Sequence, residues 1–104
     1  MKTIKNILYV GLNDKRTKQQ EIDTLSAFKI ATNIFIELTG GATITEATGI
    51  YTHEDGTIIT EKTLRCEIFN AEKQAIKKAI DNLKIALNQE SIAVETVETE
   101  SEFI

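Results

Sequence analysis

Apolar positions along the chain change their spacing repeatedly, and each change marks an element. Between Ile4 and Leu12 they alternate, with Leu8, Val10 and Leu12 on one side and Ile7 and Tyr9 on the other. That is the period of a strand. The spacing then lengthens to three and four. Ile22, Leu25, Phe28, Ala31, Phe35 and Leu38 form the apolar stripe of a helix expected near residues 18–38. Thr17 is placed to cap that helix, and Gln20 three positions on to complete a capping box. Ala27, Ile30 and Ile34 widen the stripe beyond what one sheet covers, and Thr39-Gly40-Gly41 ends it.

Alternation returns over residues 42–52 and 57–69, runs rich in Thr, Ile and Tyr around His53-Glu54-Asp55-Gly56. Asp-Gly between two such runs signals a hairpin. In the second run Leu64, Cys66 and Ile68 share one face, while Ile59, Glu61, Thr63, Arg65 and Glu67 share the other. Asn70 can cap a second helix near 71–88, with Ile76, Ala79, Ile80, Leu83 and Leu87 as its stripe. Residues 91–97 read as a last strand with Ile92 and Val94 turned inward.

The order β-α-β-β-α-β is the split βαβ, or ferredoxin-like, α+β pattern. Right-handed crossovers give an antiparallel sheet in the order 4-1-3-2, with both helices on one face. One domain over residues 1–97 and an acidic tail over 98–104 account for all 104 residues.

Composition narrows the function classes. A net charge of -4 argues against a general nucleic-acid binder, which must neutralise phosphates with Lys and Arg. The lone cysteine, Cys66, excludes an internal disulfide or a paired-cysteine zinc site and reads as a core residue. One histidine, His53, gives little support to a His-rich metal site or a catalytic triad, and its place in a hairpin turn suits an exposed residue. No apolar run reaches the ~20 residues of a spanning helix. The run after the N-terminal lysines stops at Leu12, so neither a signal peptide nor a membrane partner is expected, and the chain reads as cytoplasmic. No cofactor or metal is called for.

Several stretches resemble a family of small bacterial and phage proteins known only as a domain of unknown function. They are Ile7-Leu8-Tyr9-Val10-Gly11, Gly41-Ala42-Thr43-Ile44, Ala47-Thr48-Gly49-Ile50-Tyr51, Gly56-Thr57-Ile58 with Glu61, and Asn88-Gln89-Glu90-Ser91-Ile92. The resemblance implies the ferredoxin-like topology and says almost nothing about activity. Tyr51 stands where the family pattern leads one to expect tryptophan, and the acidic tail is not part of that pattern.

Topology brings three connections to one end: residues 13–17, 53–56 and 88–91. Lys15, Arg16 and Thr17 there precede the expected helix start, whose free N–H groups and dipole suit an anion. Asn88 and Gln89 add amides. Gly11 stands alone, with no Gly-Lys-Thr/Ser after it, so this is no P-loop, and a basic turn before a helix is usually a solvated turn. The sheet face away from the helices is the second candidate. Tyr9, Tyr51, Glu61 and Arg65 lie on it among apolar Ile7, Ile59, Ala93 and Val97. Without a basic surround, two tyrosines do not make an RNA platform. Cross-strand ion pairs explain the charged residues without catalysis.

Together these features describe a non-catalytic, homo-oligomeric binding protein that captures a small anionic, nucleotide-like molecule, with a phage-type sequestering or inhibitory role. The ligand-binding set is Tyr9, Lys15, Arg16, Thr17, Tyr51, Glu61, Arg65, Asn88 and Gln89. The alternatives are an acidic protein–protein inhibitor, favoured by Glu95, Glu98, Glu100 and Glu102, and an enzyme of the dimeric α+β barrel kind using Tyr9, Glu61 and Arg65. An open face this apolar, with a second stripe on the first helix, points to a homodimer or larger oligomer.

Overall fold

A computed structural model describes all residues 1–104. The elements run β1 (Lys2–Gly11), α1 (Thr24–Thr39), β2 (Thr43–Thr52), β3 (Ile58–Phe69), α2 (Lys73–Ala86) and β4 (Ala93–Glu100). The four strands form one antiparallel sheet in the order β2-β3-β1-β4, the ferredoxin-like arrangement that the period changes predict. β1 is central. It pairs with β3 from Lys5↔Phe69 to Gly11↔Thr63, and with β4 from Lys2↔Glu100 to Tyr9↔Ala93.

This register puts Leu8 opposite Cys66 and Val10 opposite Leu64, so one sheet face is continuously apolar. Ala27, Ala31 and Phe35 of α1 and Ile76, Ala79 and Leu83 of α2 close over it as a single core. Cys66 is fully buried there, and burial pushes its thiol up to about 12, an inert core residue as expected. No helix is long and apolar enough to cross a membrane.

Both helices begin later than the sequence predicts. Asp23, not Thr17, caps α1: its carboxylate accepts from the Ser26 N–H at 2.9 Å. The later start sets the rotational phase of α1 differently. Ala27, Ala31 and Phe35 face inward with Ile30, Ile34 and Leu38 beside them, whereas Leu25 is 62% exposed. The inner face therefore takes members of both expected stripes: Ala27 is buried beside Ala31 and Phe35, while Ile30 and Ile34 are only partly buried. Asn70 does not cap α2. It takes a left-handed φ of 55° between β3 and the helix, and Glu72 holds the cap position without a side-chain bond. β4 continues to Glu100, pairing residues expected in the loose tail with the start of β1. Ile92 packs against the core, but Val94, on the outer edge strand, is half exposed.

Two features of the sheet position the site. β1 ends opposite Thr63, while β2 and β3 go on pairing to Thr52↔Ile58. The hairpin therefore leaves the sheet as a two-stranded ribbon. On the face away from the helices, Ile7 is only 4% exposed, flanked across the strands by Glu67 and Glu95. Ile59 and Val97 on this face are only partly buried and Ala93 is exposed.

Candidate functional site

The segment between β1 and α1 is a tight loop, not the start of a helix. Its ends are joined by a bridge between Asn13 and Gln20. Within it the Asp14 carboxylate accepts from the backbone N–H of Arg16 at 2.8 Å and of Thr17 at 3.1 Å. The Thr17 hydroxyl donates to Glu21 at 3.0 Å. The N–H groups that a helix start would have offered to an anion are thus already satisfied by Asp14, and the expected cradle beneath Lys15 and Arg16 is absent. An amide bond from Asn88, then the two N–H groups, hold the Asp14 carboxyl below the usual carboxylate range.

The convergence of three connections is real. The Lys15 N–H donates to the Asn88 carbonyl at 3.0 Å, Asn88 Nδ2 donates to Asp14 Oδ2 at 2.7 Å, and Gln89 Nε2 donates to the Asn13 carbonyl at 2.7 Å. Between this docked loop and the base of the β2–β3 ribbon lies a cleft of about 350 Å³, a volume in the range of small-molecule sites. Asn13, Asp14, Lys15 and Lys18 form one wall, Gln89, Glu90 and Ser91 another, and Tyr51, His53, Ile59 and Glu61 the ribbon side. Lys18 holds a left-handed φ of 64° on the loop wall.

Glu61 is the distinctive group. Its cross-strand partner is Gly49; on β1, Gly11 pairs with Thr63, and the Glu61 side chain reaches diagonally over it. A Cβ on Gly11 would lie 2.5 Å from Glu61 Oε1 and 2.6 Å from Oε2. The carboxylate occupies the space that any other residue there would fill. It accepts from the Asn13 N–H at 3.0 Å and makes no ion pair with any lysine or arginine. Tyr51 stands nearby: burial first, and then the Glu61 charge, raise its phenol above the ordinary value, so it stays protonated. The cleft therefore presents an unneutralised carboxylate, a phenol donor with a flat ring, and a lysine-bearing rim. No group of three or more His, Cys, Asp or Glu side chains converges as a metal donor set.

Of the residues expected from sequence, Lys15, Tyr51, Glu61 and Gln89 line this cleft. Arg16 and Thr17 do not, and the Asn88 side chain is spent on Asp14. Tyr9 and Arg65 lie further along the same sheet face, with the Arg65 guanidinium 5.9 Å from the centre of the Tyr9 ring. His53, expected to be merely an exposed turn residue, is on the cleft wall, as are Asn13, Lys18 and Ile59. The signal that could have found the centre was Gly11 and Gly49, glycines inside strands, which mark a close approach by another group.

No family model and no curated protein matches the chain. Solved structures do. Phage SAM lyase in complex with S-methyl-5'-thioadenosine is 17% identical, covers 98% of this chain and 92% of its own, and superposes with a TM-score of 0.64. The same lyase in the apo state gives 19% identity, coverage of 97% and 91%, and a TM-score of 0.63. The divalent ion tolerance protein CutA1 from Ehrlichia chaffeensis gives 16% identity, coverage of 95% and 84%, and a TM-score of 0.59. At these identities the likeness is one of fold, shared with small phage and bacterial proteins. It overturns the expectation of a non-catalytic binding protein, since nearly the whole length of this fold is that of an enzyme in phage SAM lyase.

Proposed function

We propose that this chain is a lyase acting on S-adenosylmethionine or a close sulfonium analogue, releasing S-methyl-5'-thioadenosine from the cleft around Glu61. The observation that carries the reading is the Glu61 carboxylate itself, set over Gly11 with no cation of its own. Such a group attracts a positively charged ligand, and the partly enclosed cleft strengthens that attraction relative to water. The full-length likeness in fold to phage SAM lyase supports the choice of cation.

In this reading Glu61 faces the positive charges of the substrate, its sulfonium and α-ammonium. Tyr51 offers its ring to the adenine and its hydroxyl to a hydrogen bond. Lys15 at the rim takes the α-carboxylate. Cleavage of the bond between sulfur and the γ-carbon passes the electron pair to sulfur, leaving a neutral thioether. The γ-carbon is closed by an oxygen of the substrate's own carboxylate, so the step consumes no water, metal or external nucleophile. Holding the carboxylate and the γ-carbon within one cleft is the main source of rate, as for any well-oriented intramolecular reaction.

The same reading includes self-association. Ile50 and Ile58 are each 70% exposed on the ribbon, and an isolated two-stranded ribbon is marginal in water. A second copy covering these residues would steady the ribbon that carries Tyr51 and Glu61. Light scattering at high micromolar concentration is expected to give a dimer or larger species, and a monomer removes this part of the reading.

The activity is tested by incubating the purified chain with S-adenosylmethionine and separating the products by liquid chromatography. Time-dependent release of S-methyl-5'-thioadenosine, proportional to protein and roughly ten- to a hundred-fold slower with the Glu61→Gln variant at low substrate, is the expected result. Release no faster than the spontaneous reaction overturns it.

A further inference from the structure

We infer that Gln89 is a positioning residue for the Glu61 carboxylate, acting through the peptide of Asn13 rather than by touching a ligand with its amide nitrogen. The inference rests on the reading of Glu61 given above and assigns the neighbouring turn its part in it.

Gln89 lies just beyond the C-terminus of α2 and is only 7% exposed. A long polar side chain is rarely so deeply placed unless its hydrogen bonds are made. Its Nε2 donates twice, to the Asn13 carbonyl at 2.7 Å and to the Leu87 carbonyl at 3.2 Å. The second bond anchors the side chain to the end of α2. The first reaches across to the loop after β1. Asn13 is the residue whose own N–H donates to Glu61 Oε2 at 3.0 Å. One residue thus receives the strut at its carbonyl and delivers the hydrogen bond to Glu61 from its nitrogen.

The neighbouring contacts reinforce the same point. The Asn88 carbonyl accepts from the Lys15 N–H at 3.0 Å, and Asn88 Nδ2 donates to Asp14 Oδ2 at 2.7 Å. The left-handed φ of 50° at Asn88 turns the chain so that residues 88 and 89 both meet the loop. Loops are the most adaptable part of a fold. Here the loop is fastened to the end of a helix at three successive residues, and Asn13, the one nearest Glu61, is fastened by Gln89. A bond aimed at a binding carboxylate keeps its geometry only if the group that makes it is itself held.

The experiment compares wild type with Gln89→Met, which keeps length and apolar volume while removing both donors, and with Asn88→Gly, which cuts the adjacent contact to Asp14 but tolerates the left-handed φ and leaves Gln89 in place. Two readouts are used. The first is NMR of the unliganded protein, following exchange of the Asn13 amide and the Glu61 carboxyl-carbon resonance. The second is the steady-state rate with S-adenosylmethionine. In Gln89→Met the Asn13 amide is expected to exchange roughly ten-fold faster or more and the Glu61 resonance to move. KM is expected to rise roughly ten-fold with kcat little changed. Asn88→Gly should move neither readout as far, even where it lowers thermal stability equally. Gln89→Met with an unchanged Asn13 amide and Glu61 resonance overturns the inference and makes Gln89 a helix-end residue only. The NMR result stands without any turnover, so a wild type that fails to cleave the substrate removes the lyase reading while the positioning role is still decided by the spectra.

Discussion

β3 carries two glutamates on the same sheet face, and they live in opposite surroundings. Glu67 is flanked by cations: Lys5 Nζ lies 3.3 Å away and Arg65 Nη1 2.9 Å away. The chain of contacts continues, with Arg65 over the Tyr9 ring and the Tyr9 hydroxyl donating to Glu95 at 3.4 Å. Glu61, three strand repeats along, has glycines for neighbours, one backbone N–H and no cation. Glu67 is satisfied, and with Lys5 it ties β3 to β1 beside the buried Ile7. Glu61 has an open side facing a cleft. The type of residue is identical; what leaves one carboxylate paired and the other without a cation is the size and charge of the residues beside it.

Exchanging each glutamate for glutamine breaks the comparison most sharply. Glu61→Gln keeps the shape and removes the charge, so it should cost the cleft a charge-assisted contact of about 1.5–3 kcal/mol, roughly ten- to a hundred-fold in KM. The sulfonium loses its charge as the bond to sulfur breaks, so this part of the attraction favours the bound substrate more than the transition state. The loss should therefore fall on KM before kcat. Glu67→Gln should leave both constants as they were. Equal losses from the two variants would mean that the open face works as one unit and that the distinction is wrong.

A single methyl group probes the same contrast from the side of the partner. Gly11→Ala introduces a Cβ where the Glu61 carboxylate now lies, and the obstacle is the far end of a flexible side chain. The side chain should swing away at little cost to folding, while leaving the Asn13 N–H. KM is expected to rise by roughly ten-fold, with thermal stability lowered by less than about 1 kcal/mol. Gly40→Ala is the control. That residue ends α1 at a φ of 82° with open space around it, so alanine should strain the backbone by about 1 kcal/mol and leave KM alone. Substrate kinetics and thermal unfolding on the two variants separate a glycine kept for room from a glycine kept for its backbone angle.

The fold was legible because strand and helix periods are written directly in the spacing of Leu8, Val10, Leu64, Cys66, Ile68, Ile76 and Leu83, and Asp55-Gly56 marks the one tight hairpin. The start of α1 was not. Thr17 and Gln20 spell a capping box as well as Asp23 and Ser26 make a cap, and the choice fell to Asp14. Its short carboxylate turns back onto the Arg16 and Thr17 N–H groups and closes a loop that the apolar spacing cannot register. The site was half legible. Topology was enough to gather the three connections, which is why Lys15 and Gln89 were named; Tyr51 and Glu61 were named separately, for the open sheet face. The grouping of Glu61 with Arg65 followed from their shared face, and strand alternation reports a face without saying which neighbours are too small to neutralise a charge. Alternation also could not show that Ile7, on the open face, is buried between Glu67 and Glu95.

The smallest effect concerns acid. Lys5, chiefly, and then Arg65 hold the Glu67 carboxyl below its ordinary value of 4.5. Between that ordinary value and the lower folded one, the unfolded chain binds a proton that the folded chain does not. The contribution of Glu67 to stability is therefore complete above about pH 4.5 and fades as pH falls through the folded value. Partly exposed pairs of this kind are worth about 0.2–1 kcal/mol, screened by salt. Glu67→Gln should lower the unfolding free energy by that amount at pH 7, and the difference from wild type should narrow as the pH is taken below 4. Urea unfolding of both proteins across that range, at low and high salt, measures the convergence. A gap that stays constant into acid would assign the loss to packing over Ile7 rather than to charge, and the contrast between the two glutamates would then rest on Glu61 alone.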